Sequence, residues 1–128
     1  MRRFTRSRVL SFGHAFQGWW YVLRTQRNAW LEVAIACGVL AVGIWLHLDV
    51  LRWAIIVLTA ALVFAAELFN TAVEVIVDLV SPQHHPLAKI AKDVAAGAVL
   101  LAASGAAVVG LLLLGPPLLA KMQELLAR

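Results

Sequence analysis

Long uncharged runs, broken by short polar clusters, dominate the chain. The first begins near residue 29 and contains one early acid, Glu32. Residues 33–46 then carry no charge. A break at 47–52 separates it from a second run, which opens with uncharged residues 53–66 and closes on Glu67, Asn70, Thr71, Glu74 and Asp78. The segment SPQHHP at 81–86 interrupts any helix with two prolines and is predicted as a loop. After Lys92 and Asp93, residues 94–114 are uncharged, enough to cross a hydrocarbon layer of about 30 Å as a helix. The pattern predicts three transmembrane helices at about 29–48, 51–80 and 88–114. Gly115-Pro116-Pro117 is expected to end the third, leaving a short tail at 116–128. Upstream, Phe12, Phe16, Trp19, Trp20 and Leu23 recur at helical spacing among polar residues. They predict an amphipathic surface helix over about 4–27, which Gly13 and Gly18 weaken as one unbroken element. The fold class is all-α, one membrane domain spanning 1–128.

Composition supports the bilayer as solvent. The 128 residues are 62% apolar and 14% charged, and the mean hydropathy is +0.86. Ordinary soluble domains are roughly 45–50% apolar and about 25% charged. A single cysteine, Cys37, excludes a disulfide scaffold and a zinc ribbon, and reads as a small buried hydrophobe. The net charge of +4 does not point to nucleic acid, because Arg2, Arg3, Arg6, Arg8, Arg24 and Arg27 all precede the first apolar run. Such a basic flank reads as cytosolic and attracted to anionic lipid. With the N-terminus inside, the cytosolic segments also hold Lys89 and Lys92. The outer side holds only Arg52, Lys121 and Arg128. The expected orientation is N-in and C-out, in the inner (plasma) membrane.

The second helix carries the candidate chemistry. At helical pitch Glu67, Asn70, Glu74 and Asp78 fall within an arc of about 80°, a polar stripe about 16 Å long in the cytosolic half. An acid facing lipid costs roughly 2.5–3.5 kcal/mol. The stripe therefore faces a bundle interior, a metal or a water-filled cleft. For Asp78 a solvated extension of the helix explains the acid equally well. Lys89 and Lys92 share a helix face beside Asp93, on the same side of the membrane. Lys89 by itself also suits a positive-inside anchor. Acids with nearby lysines are what metal-assisted phosphoryl transfer requires. No glycine-rich nucleotide loop is present, so any ATP site is unusual. His84 and His85 have no partner at ligand spacing and read as turn residues. The residues alone leave open a small proton-coupled transporter that uses Glu67 as its proton site.

The segment ELFNTAVEVIVDLVSPQHHPLAKIAKDVAAGAVLLAA at 67–103 resembles the signature of the small prokaryotic diacylglycerol kinase and undecaprenol kinase family. It matches the pattern E-x-x-N-(S/T)-A-x-E-x-x-x-D followed by H-x-L-x-x-x-A-K-D, and the likeness extends upstream through SFGHAFQGWWYVLRTQRN at 11–28. It covers about 11–114. The resemblance implies a homotrimeric three-helix membrane kinase with a surface helix. It implies transfer of the γ-phosphate of MgATP to a lipid alcohol, at cytosolic sites shared between subunits. It assigns Glu67 as general base, with Asn70 beside it and Asp78 near the nucleotide. Glu74 becomes a metal-holding carboxylate, and Lys92 and Asp93 become nucleotide contacts. The wording of TQRN and PLAKIAKD is closer to the undecaprenol branch. One position departs from the pattern. Where the family commonly has a glutamate that helps hold the second metal, this chain has Gln26, a weaker ligand for a hard cation. Glu32, less than two turns on, is a candidate to compensate. Gln26 is also the only support for a third reading, a degenerate kinase that scaffolds a lipid complex.

Overall fold

A computed structural model describes the backbone of residues 2–127 and the side chains of 11–127. The side chains of Arg2, Arg3, Arg6, Arg8 and Arg128, which enter the charge argument, lie outside the described residues. The described residues form four helices and no strand: α1 (Arg2–Thr25), α2 (Arg27–Trp45), α3 (Val50–Val80) and α4 (Pro86–Leu126). Three of them, α2, α3 and α4, are long and apolar enough to cross a membrane. α1 runs through Gly13 and Gly18 without a break.

Local chemistry sets the helix ends. Gln26 takes an extended conformation at the joint between α1 and α2. After α2 the chain turns at His47, which has a positive φ of 52°. Leu48 N donates to Gly43 O at 3.2 Å and His47 N donates to Ile44 O at 3.1 Å, the paired bonds of a Schellman turn. The turn folds α3 back along α2, and a Trp53 indole lies against the bare Cα of Gly43. Asp49 caps α3 by accepting from Arg52 N at 3.0 Å. Ser81 to His85 form the predicted loop, and Pro86 is the first residue of α4, where its missing N–H is no loss.

The third spanning helix differs from expectation. α4 continues past Gly115-Pro116-Pro117 to Leu126 rather than ending near 114. Pro116 and Pro117 offer no N–H to the carbonyls of Leu112 and Leu113. Gly115 has no Cβ to collide with the Pro116 ring. Leucines on both sides are strong helix formers, and apolar surroundings leave a broken helix no solvent for its backbone. At 1.5 Å per residue α4 is about 60 Å long, roughly twice the hydrocarbon thickness.

The buried set is small and lies where α1, α2 and α3 meet. Val22, Ala29, Ile56 and Val63 supply its apolar part, with Leu48 at the turn. Trp19 of α1 stacks on Phe64 of α3 with ring centroids 6.2 Å apart. No described residue of α4 is buried, and that helix packs chiefly on α3.

Candidate active site

The most buried side chain of appreciable size is a glutamate. Glu67 is 1% exposed, Thr71 3% and Asn70 7%, all on the inward face of α3. The polar stripe read from helical spacing therefore turns into the protein at this level. Thr71 Oγ1 donates back to Glu67 O at 3.0 Å, so its hydroxyl is satisfied within the helix. Glu67 Oε2 and Asn70 Oδ1 are buried without a hydrogen-bond partner. A third such atom, Glu32 Oε2, belongs to α2. Glu32 lies close enough to Glu67 for their charges to interact, and Glu67 is similarly related to Glu74.

One turn beyond Asn70, Glu74 receives two amide donors. Asn70 Nδ2 donates to Glu74 Oε1 at 3.3 Å, within α3. Gln26 Nε2 donates to Glu74 Oε2 at 2.8 Å, from the joint between α1 and α2. The structure thus joins Gln26, Asn70 and Glu74 in one network, with Glu67 and Glu32 behind it.

The remaining candidates form a second cluster. Lys92 of α4 pairs with Asp78 of α3. Asp93 pairs with Lys89, one turn earlier on its own helix. These four residues line an open groove of about 760 Å³, together with loop residues such as Pro82, His84 and His85. His85 is occupied as the cap of α4, its Nδ1 accepting from Leu87 N at 3.2 Å. Asp78 is exposed, in line with the solvated reading for that acid. Sequence reasoning gave Glu32 only a compensating part and no place against Glu67. A single acid three positions inside an apolar run that starts at Ala29 was its one available signal.

A family model described as prokaryotic diacylglycerol kinase matches residues 13–114 of this chain. The chain belongs to the prokaryotic diacylglycerol kinase family. As a member of that family it is a multi-pass membrane protein and a lipid kinase. Similar proteins include the undecaprenol kinase of Bacillus subtilis, 47% identical over 84% of this chain and 88% of the relative. The diacylglycerol kinase of Synechocystis is 48% identical over 89% of this chain and 66% of the relative, so this chain spans about two thirds of that longer protein. The diacylglycerol kinase of Escherichia coli K12 is 35% identical over 56% of this chain and 53% of the relative. The kinases of this family take ATP as co-substrate, which makes the four-residue charged groove and the buried carboxylate network the two places to seek a nucleotide and an acceptor.

Proposed function

We propose that this protein transfers the γ-phosphate of MgATP to the hydroxyl of a membrane lipid alcohol, undecaprenol in preference to diacylglycerol. Glu67 is the general base. The observation that carries this role is its Oε2, buried and without a partner on the inner face of a spanning helix. A carboxylate with a free lone pair in a largely dry site suits acceptance of a hydroxyl proton. Asn70 stands beside it, with its side-chain carbonyl also open. Lys92 neutralises phosphate charge, and Asp93 and Asp78 flank the nucleotide in the groove between α3 and α4. Catalysis is then mainly positioning and charge compensation.

The side chains of Glu74 and Gln26 meet, and their carboxylate and carboxamide oxygens are donors that suit a hard divalent cation. Glu74 and the side-chain carbonyl of Gln26 would hold Mg²⁺. The bound ion would supply charge neutralisation for the phosphates. In its present rotamer Gln26 turns its N–H to Glu74, so an amide flip brings its oxygen round.

A homotrimer with sites shared between subunits agrees with two features. α4 leaves all its described residues at least partly open. The small residues of α4, among them Ala95, Gly97, Ala102 and Gly105, permit close approach of a neighbouring helix. The basic N-terminal flank supports a cytosolic N-terminus and an active site at the cytosolic face of the inner (plasma) membrane.

The test is phosphate transfer from labelled ATP in mixed micelles, to undecaprenol and diacylglycerol side by side, with Glu67→Gln as control. Product on undecaprenol, lost in the control, is expected. A higher rate on diacylglycerol reassigns the substrate. Absence of product on both lipids from folded protein contradicts the catalytic reading.

A further inference from the structure

Two lysines and two aspartates line the groove between α3 and α4: Lys89, Lys92, Asp78 and Asp93. Each lysine holds one aspartate. Lys92 reaches across to Asp78 of α3, and Lys89 reaches along its own helix to Asp93. Lys92 thus joins two helices and already has a part in the proposed reaction. Lys89 has neither.

Helix energetics do not account for Lys89. Pro86 opens α4, so Lys89 closes its first turn. A cation there meets the positive end of the helix dipole. The pair runs from lysine at 89 to aspartate at 93, the reverse of the order that favours a helix. The Lys89 side chain is 77% exposed, so little of its stem is covered, and an exposed pair adds little stability. What the position does supply is a second ammonium in the groove. Lys89 and Lys92 are three residues apart, neighbours on one helix face, and both line the same cleft. A lysine that served only as a membrane-side anchor would gain nothing from lining it.

We propose that Lys89 is a second phosphate contact of this groove and the residue by which it selects a polyphosphate chain over a bare nucleoside. This rests on reading the groove as the ATP site. Phosphate competes with Asp93 for the ammonium, and a chain carrying several negative charges outcompetes a single exposed carboxylate. The flexible lysine stem lets the ammonium change partner without movement of the helix. The Asp93 carboxylate it leaves is then open to accept from a ribose hydroxyl.

The experiment uses the full chain in lipid micelles, with bound methylanthraniloyl-ATP displaced by ATP, ADP and adenosine in Mg²⁺ buffer. The parent is compared with Lys89→Gln, Lys89→Arg and Lys92→Met. Lys89→Gln is expected to weaken ATP and ADP about 10-fold. Adenosine, which has no phosphate, is expected to change by less than about twofold. Lys89→Arg keeps the charge and is expected to stay within about threefold of the parent for all three. Unchanged ATP affinity in Lys89→Gln overturns the proposal. Equal weakening of ATP and adenosine overturns it too, because the residue then shapes the groove without meeting phosphate. A loss in Lys89→Arg as large as in Lys89→Gln shows that the charge is not what matters, and has the same effect. ATP weakened in Lys92→Met but not in Lys89→Gln removes Lys89 and leaves the groove as the ATP site. ATP unchanged in both removes the groove assignment itself, and the Lys89 inference with it.

Discussion

Gln26 and Glu74 are 48 residues apart in sequence, and their side chains meet at 2.8 Å. The bond ties the joint between α1 and α2 to the polar face of α3. It also gives Glu74 a neutral donor at the position where the family commonly sets a second carboxylate.

Gln26→Glu should therefore change metal dependence. Two carboxylates would then face each other, and a cation between them would offset their repulsion. Activity should depend more steeply on free Mg²⁺, and Mn²⁺ binding without nucleotide should strengthen in an electron paramagnetic titration. Identical Mg²⁺ curves for the two proteins would show that residue 26 does not take part in holding the ion.

The Lys92–Asp78 pair lies beside the 81–85 loop that joins α3 to α4, with both side chains substantially exposed. Exposed pairs of this kind contribute about 0–1 kcal/mol. Lys92→Met should thus leave the thermal midpoint nearly unchanged while phosphate transfer falls by about 100-fold or more. Loss of stability in proportion to loss of activity would instead make Lys92 a structural strut.

At the α2–α3 turn, a methyl group on Gly43 would stand 2.8 Å from Trp53 Cη2 and 3.1 Å from Leu48 Cδ1. The indole is rigid and Leu48 crowds the same position, so Gly43→Ala meets an overpacking cost of about 1–3 kcal/mol. The better helix propensity of alanine offsets about 1 kcal/mol of that. A lower melting temperature is expected. His47→Gly should shift it the other way, since φ of 52° suits glycine. A rise in stability for Gly43→Ala would mean that Trp53 swings aside freely.

Pro116 and Pro117 lie inside α4, far along the chain from the acidic network. Replacing both with alanine should restore two backbone hydrogen bonds, raise the thermal midpoint and leave kcat unchanged. Loss of activity without loss of stability would show that the double proline shapes α4 for function.

Much of the fold was already written in the chain. Largely apolar segments long enough to cross the hydrocarbon layer leave a helix as the way to satisfy the backbone, so three spanning helices follow from 29–48, 51–80 and 88–114 alone. The polar stripe of α3 was legible because helical pitch puts Glu67, Asn70 and Glu74 on one face whatever surrounds them. The end of α4 was not legible. A double proline usually stops a helix in water, and only its setting after Gly115 and among leucines shows why this one continues.

What the sequence determined by itself was local: helix periodicity, membrane thickness, and the motif residues in their order. Tertiary structure decided which of those residues meet. It brings Gln26 to Glu74, sets Glu32 beside Glu67, pairs Lys92 with Asp78, and keeps Asp93 on its own helix with Lys89. These pairings depend on how helices lie against one another. That is fixed by long-range packing such as Trp19 on Phe64 and Trp53 against Gly43, which no spacing along the chain encodes.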